Sequence, residues 1–175
     1  MSKLEIVKEG ITNLHTDAVV NAANEGLWQG GGVCGVIFAA AGARRLQAAC
    51  NDIGGCPTGS AVITPAFDLD AKYIIHAVGP RWHGGSNGEP EFLRGAYYRS
   101  LELAEEHDCK SIGFPLISAG IFGYPVDKAW EVALKACKEF ITNHPDYDIL
   151  IRFGVPSEEN RRIGRDIWNR LDPTV

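Results

Sequence analysis

The residues best suited to chemistry are Asn21-Ala22-Ala23-Asn24 and, shortly after them, Gly30-Gly31-Gly32-Val33-Cys34-Gly35. Side-chain amides end an apolar, β-branched run, Asp17-Ala18-Val19-Val20, and the glycines lead into an Ala-rich helical segment, Val36 to Ala49. A strand end, amides, glycines and a helix start together make an anion site. Glycine lets the backbone approach a phosphate, and the first N–H groups of a helix have no partner inside it. A second stretch has related chemistry: Ser118-Ala119-Gly120-Ile121-Phe122-Gly123-Tyr124-Pro125. Its glycines and serine can wrap an anion, and its aromatic rings offer a surface to a sugar or a base. Alone it reads equally as a plain turn. Two such loops at one sheet edge favour a ligand crevice.

The elements that must position these loops are short. Leu4–Val7, Ala18–Asn21, Ser60–Thr64, Lys72–Val78, Ser111–Leu116 and Asp148–Phe153 are nearly continuous apolar runs, the pattern of strands buried on both faces. Between them, Glu91 to His107 puts Leu93, Tyr97, Leu101 and Ala104 on one stripe, and Asp127 to Thr142 does the same with Ala129, Val132, Ala133, Ala136 and Phe140. Asp127 follows Pro125 as a helix-start acid. Ser157 is placed to cap a last helix, with Asn160 where a capping-box acid would stand. Strands alternating with helices predict an α/β domain of three layers, α/β/α, with ligands at the carboxyl ends of the strands. There is no internal repeat or interdomain linker, so residues 1–175 are expected to form a single domain.

Other chemistries fit less well. Gly30-x-Gly32-x-x-Gly35 matches a dinucleotide fingerprint in form, but Asn24 to Gln29 separate it from its strand, and Asp52 lies among turn residues rather than at a strand end. No Gly-Lys-Ser/Thr ending of a Walker loop is present, and no Ser-His-Asp spacing. His76 falls mid-strand and reads as a core histidine, whereas His83, in a Gly-rich loop, reads as exposed. The five cysteines are dispersed with no Cys-x-x-Cys pair, which fits reduced thiols. Cys50 and Cys56 are close, but no histidine or second pair stands near them, so no metal and no cofactor is expected. A net charge of −5 argues against a large nucleic-acid footprint, and Arg161, Arg162, Arg165 and Arg170 are interleaved with acids as on a solvated helix face. No apolar run approaches a membrane span and Met1 to Glu5 form no signal core, so a cytoplasmic protein without membrane contact is expected.

Taken together, Val20-Asn21-Ala22-Ala23-Asn24, Gly30-Gly31-Gly32-Val33-x-Gly35, Ala40-Ala41-Gly42, Cys56-Pro57-Thr58-Gly59, Ile75-His76-Ala77-Val78-Gly79-Pro80 and Phe114-Pro115-x-Ile117-Ser118-x-Gly120-x-x-Gly123-Tyr124-Pro125 resemble a macro domain. The branch most resembled is the MacroD-like one, which includes bacterial O-acetyl-ADP-ribose deacetylases and mono-ADP-ribosyl hydrolases. The resemblance runs from about Leu4 to the last helix. It implies a mixed sheet of about six strands with an ADP-ribose crevice above it. It also implies that Asn21 and the backbone of Gly31, Gly32 and Val33 hold the distal ribose and diphosphate. Ser118, Ala119, Gly120, Ile121 and Phe122 would close from the other side, with Phe122 packing on the distal ribose. Asn24 would orient that ribose at the bond to be cut, and Ile11 would offer its backbone N–H to the adenine. The implied ligands are ADP-ribose, O-acetyl-ADP-ribose and ADP-ribosylated proteins.

The sequence departs from this pattern at several places. Cys34 stands where the family has an aspartate associated with activating the attacking water. Three readings follow. A thiolate favoured by the helix start could accept the proton, the diphosphate could activate the water alone, or Cys34 is an inert filler. A cysteine nucleophile is disfavoured because no partner base is visible in the sequence. Gly10, before Ile11-Thr12, replaces the acid that bonds the adenine amino group. Val155-Pro156 stands where an aromatic often stacks on adenine, and Phe153 reads as being in register with the strand. Losing one charged hydrogen bond costs about 1.5–3 kcal/mol, so adenine recognition is expected to be weaker or different. Phe38 replaces a frequent histidine and reads as core packing. Two functions stay open: hydrolysis at the distal ribose, and binding of ADP-ribose or a related nucleotide without turnover.

Overall fold

In a computed structural model, which describes residues 1–172, the chain forms six strands and five helices. In chain order they are β1 (Lys3–Val7), β2 (Ala18–Ala22), α1 (Gly32–Ala41), α2 (Ala43–Ile53), β3 (Ala61–Pro65), β4 (Tyr73–Ala77), α3 (Glu89–Glu106), β5 (Ser111–Phe114), α4 (Val126–Asn143), β6 (Leu150–Gly154) and α5 (Glu158–Leu171). A short 3-10 turn, Ile11–Asn13, follows β1. The strands make one mixed sheet in the order β1-β6-β5-β2-β4-β3, antiparallel only at β3–β4. All six expected strands form, with ends shifted by one or two residues.

Alternation along the inner strands divides the core in two. On β2, Val19 faces Ile37, Phe38 and Leu46 of α1 and α2, while Val20 faces the opposite layer. There Tyr97, Trp130, Phe140 and Trp168 from α3, α4 and α5 pack on Ile75, Phe114, Ile151 and Phe153. Each face of the sheet is therefore covered by helices, and the architecture is the expected three-layer α/β/α. Burial on both faces does not extend to the edges: in β1, Lys3 and Glu5 are exposed and Ile6 is buried. Phe153 is fully buried in the core, in register with the strand, and Phe38 is core packing edge-on to His76.

The Ala-rich stretch predicted as a single helix, Val36 to Ala49, is two helices bent by 109°. Gly42 breaks it, because its φ of 97° lies where only glycine is unstrained, and its N–H closes α1 on the Phe38 carbonyl at 3.1 Å. The helix also starts earlier than expected, at Gly32, so Cys34 belongs to its first turn. At α5, Ser157 caps as expected, its Oγ accepting from Asn160 N–H at 3.1 Å. The Asn160 side chain does not close a capping box. Its Oδ1 accepts from Trp130 Nε1 at 2.6 Å and ties α5 to α4. No single helix among the described residues is long and apolar enough to cross a membrane.

Candidate functional site

Strands β2, β4 and β5 run parallel, so the loops that follow them open on one edge of the sheet. The first is residues 23–31, leading into α1. The second is 78–88, leading into α3, and the third is 115–125, leading into α4. The first and third meet: a Cβ on Gly31 would lie 3.8 Å from Cδ1 of Ile121, so the tip of the third loop reaches over the glycine run. Between them is a cavity of about 410 Å³ lined by Asn24, Gly30 to Cys34 and Ile117, Ser118, Gly120, Ile121 and Phe122. A larger cavity of about 610 Å³ adjoins it, walled by Glu25, Trp28, Thr58, His83, Asn87 and Phe92. Asn24, Gly79, Arg81 and Phe122 line both and form the neck between them.

The third loop is held from below. Tyr97 Oη accepts from Ile117 N–H at 2.8 Å and donates to the Pro115 carbonyl at 3.2 Å. Tyr124 N–H returns to the Ser118 carbonyl at 2.9 Å, and Ser118 takes a left-handed φ of 69°, strained for a residue with a Cβ. Its buried Oγ has no hydrogen-bond partner. The second loop passes so close that a Cβ on Gly79 would stand 2.3 Å from that Oγ and 2.6 Å from Ile117 Cγ2. Only glycine fits there. The third loop is tied to the second again where Trp82 N–H donates to the Phe122 carbonyl at 2.8 Å.

Asn24 clamps the turn that follows it. Its Oδ1 accepts from Trp28 N–H at 2.9 Å and its Nδ2 donates to the Trp28 carbonyl at 3.0 Å. One Nδ2 hydrogen is left over, on a side chain whose position at the neck is fixed. Cys34 has a network of its own. Its Sγ lies 3.3 Å from Gly30 N, 3.7 Å from Asn21 Nδ2 and 3.6 Å from the Trp28 carbonyl, so two N–H groups point at the sulfur and one carbonyl faces it. No carboxylate lines the smaller cavity.

Asn21 does not line either cavity. It is buried beneath the glycine run, its Nδ2 3.1 Å from Nδ1 of His76, and its Oδ1 has no partner. His76 is the core histidine expected: fully buried, its Nε2 is 3.0 Å from Thr64 Oγ1. Burial lowers its pKa from 6.5 to about 4. The Thr64 hydroxyl donates to the Pro65 carbonyl, so it accepts from Nε2–H, and Nδ1 is left to accept from Asn21. Cys50 lies behind, 3.8 Å from Nε2, its thiol pushed up to about 11 by burial and by the neighbouring Cys34.

Of the residues named from the sequence, Asn24, Gly31, Gly32, Val33, Cys34, Ser118, Gly120, Ile121 and Phe122 converge on one cavity. Ala119 is in the same loop without lining it. Ile11 is buried in the core under α1 and lines neither cavity. Asp52 is an exposed residue of α2, not a strand end, and His83 is exposed as expected. No group of His, Cys, Asp and Glu among the described residues is arranged for a metal. Sequence reasoning missed the second loop. Gly79 was read only as part of a motif, and Arg81 and the Glu89 that holds the loop were not singled out, although Lys72–Val78 read as a strand whose carboxyl end must also open somewhere. The Glu89 carboxylate accepts from His83, Gly85 and Asn87 N–H at 2.7–2.9 Å. Desolvation raises its pKa, but these backbone donors outweigh that and bring it to about 2.

A family model described as "Macro domain" matches residues 20–133. The chain belongs to the macro domain family. A macro domain-containing protein of Chlorobaculum tepidum is 49% identical over 148 residues, covering 85% of this chain and 86% of that protein. A protein of Salmonella typhimurium named O-acetyl-ADP-ribose deacetylase is 50% identical over 147 residues, 82% of each chain. Among solved structures, the Oceanobacillus iheyensis macrodomain with ADP superposes with a TM-score of 0.91 at 36% identity, covering 99% of this chain and 94% of that one. The Trypanosoma brucei macrodomain in complex with ADP-ribose gives 0.86 at 33%, covering 93% and 68%. The three loops described above are thus the strand-end loops of a macro domain.

Proposed function

We propose that this macro domain binds ADP-ribose across the smaller cavity and hydrolyses a link at the distal ribose, in O-acetyl-ADP-ribose or an ADP-ribosylated protein. The observation that carries the reading is the closure of the Ser118–Phe122 loop over the glycine run, with the first turn of α1 beneath. Backbone N–H groups there suit a diphosphate, which needs donors rather than hydrophobic contact. Related proteins solved with ADP or ADP-ribose support the ligand, and the Salmonella name supports the reaction class. Asn24 fixes the ribose at the neck, and water attacks a bond held in place. Release of product from O-acetyl-ADP-ribose is the direct assay. Asn24→Ala is expected to reduce it by about 10²-fold, the cost of misplacing the reacting group. Background rates in both proteins overturn the catalytic reading.

A second reading, binding without turnover, is favoured by one observation. Where the family aspartate would stand, Cys34 is wrapped by Gly30 N–H, Asn21 and the Trp28 carbonyl, and the cavity holds no carboxylate. Tight ADP-ribose binding by calorimetry, with no turnover of either substrate, selects it. We also propose, as the sequence led us to expect, a cytoplasmic protein with no cofactor.

A further inference from the structure

Cys34 has chemistry of its own that involves no nucleotide. We propose that it is a site of oxidative modification: a small hydroperoxide entering the smaller cavity converts its thiol to a sulfenic acid, which Asn21 and Gly30 then hold. The modification needs no ADP-ribose, so it is independent of the function proposed above.

Placement selects this thiol among five. All five cysteines are free and buried. Burial pushes Cys50 and Cys109 up to about 11 and also raises Cys56 and Cys137, so these four stay protonated at neutral pH. A protonated thiol is a poor nucleophile. Cys34 instead forms part of the wall of a cavity of about 410 Å³. It lies in the first turn of α1, where the unpaired N–H groups of a helix start favour negative charge. Gly30 N–H, with N 3.3 Å away, and Asn21 Nδ2, 3.7 Å away, point at its sulfur.

The amide behind the sulfur is an independent sign. Asn21 is 1% exposed. His76 Nδ1 accepts from it, which turns Nδ2 toward the imidazole and the sulfur together. Both Nδ2 hydrogens are then used, and Oδ1 has no partner. A buried acceptor without a donor points to a ligand or a modification beside it. The thiol does not serve, because its hydrogen faces the Trp28 carbonyl, 3.6 Å from the sulfur. A sulfenic acid does. It places a hydroxyl one bond beyond the sulfur, where the hydrogen can go to Asn21 Oδ1 while the oxygen accepts from Gly30 N–H.

The step balances with the hydroperoxide alone. A sulfur lone pair attacks the near peroxide oxygen, the S–O bond forms as the O–O bond breaks, and the departing oxygen takes the thiol proton. Sulfur is oxidised by two electrons, and the hydroperoxide is reduced to water or an alcohol. No second cysteine lines the cavity to close a disulfide. Reversal therefore uses external thiols: one displaces water to form a mixed disulfide, and a second releases Cys34.

The test treats the reduced, nucleotide-free protein with a limiting amount of hydrogen peroxide, removes the excess with catalase, and adds dimedone after increasing delays. Peptide mass spectrometry reads the adduct at each cysteine. Cys34 is expected to carry about tenfold more adduct than any other cysteine, the advantage of an accessible thiol over inert buried ones. In Asn21→Leu and Asn21→Ala the Cys34 adduct is expected to fall by about fivefold at long delay, the worth of one hydrogen bond. Absence of label at the other four cysteines reports that a variant is folded. A wild-type adduct at Cys34 no greater than those at Cys50, Cys56, Cys109 and Cys137 overturns the proposal, whatever the variants do. A sulfenic acid that decays equally fast in the wild type and in a folded Asn21 variant overturns it as well.

Discussion

At the scale of single residues, Cys34 decides most. It occupies the first turn of α1, facing the cavity, with two N–H donors aimed at its sulfur. Those donors suit a negatively charged acceptor better than a thiol. Cys34→Asp should therefore be accommodated, since its carboxylate would inherit both hydrogen bonds. A carboxylate there is also a better proton acceptor for water. Turnover of O-acetyl-ADP-ribose is expected to rise by about 10²-fold, the lower end of general-base contributions. An unchanged rate in a variant that still binds ADP-ribose would place proton transfer elsewhere. Cys34 is also the one cysteine that lines either cavity. Bound ADP-ribose should then slow its alkylation by iodoacetamide, read by peptide mass spectrometry. Unaltered labelling at saturating ADP-ribose would mean that the ligand does not cover the glycine run.

At the scale of elements, the site is two loops pressed against a third. The third loop carries a strained Ser118 and a buried, unpartnered hydroxyl, held because Gly79 leaves just enough room for them. Gly79→Ala puts a methyl group into that contact and must push residues 117–118 outward. Overpacking of this kind costs about 1–3 kcal/mol. A lower Tm, with ADP-ribose affinity falling by about tenfold or more, is expected. A variant that melts and binds like the wild type would show that the loop yields without cost. Such a contact is invisible in the sequence. Gly79-Pro80 stands out as a family motif, but what crowds the missing Cβ is a residue from another strand's loop.

At the scale of the whole molecule, the buried chain from Cys34 through Asn21 and His76 to Thr64 links the site to the core under α1 and α2. His76 is held neutral, its pKa lowered to about 4 by burial. The unfolded chain binds that proton near pH 6.5, so stability is full above this value. It is lost as the pH falls toward 4, where the slope flattens. A shift of this size corresponds to about 3 kcal/mol. Denaturation midpoints measured between pH 7 and 4 should fall accordingly. His76→Gln should be less stable at pH 7, having lost a packed and bonded ring, yet flatter across that interval. An identical pH slope in the variant would assign the acid sensitivity to other groups.

The sequence by itself determined the order of strands and helices, the three layers and the residues of two anion loops. These depend on local pattern: apolar runs of strand length, stripes at helical spacing, and glycines where backbone must approach a ligand. It also marked Cys34 as the departure on which the proposed catalysis turns. Only the tertiary structure decided the rest. The bend at Gly42 depends on how α1 and α2 wrap the sheet, which a run of alanines does not reveal. The family resemblance implied that Asn21 is a ligand residue, but the alternation of side chains along β2 turns it inward to His76. The larger cavity was unreadable because its walls, Glu25, Trp28, Arg81 and Phe92, come from segments far apart in the chain. Parallel pairing of β2 with β4 and β5 brings them to one edge, and long-range pairing leaves no local mark on the residues it assembles.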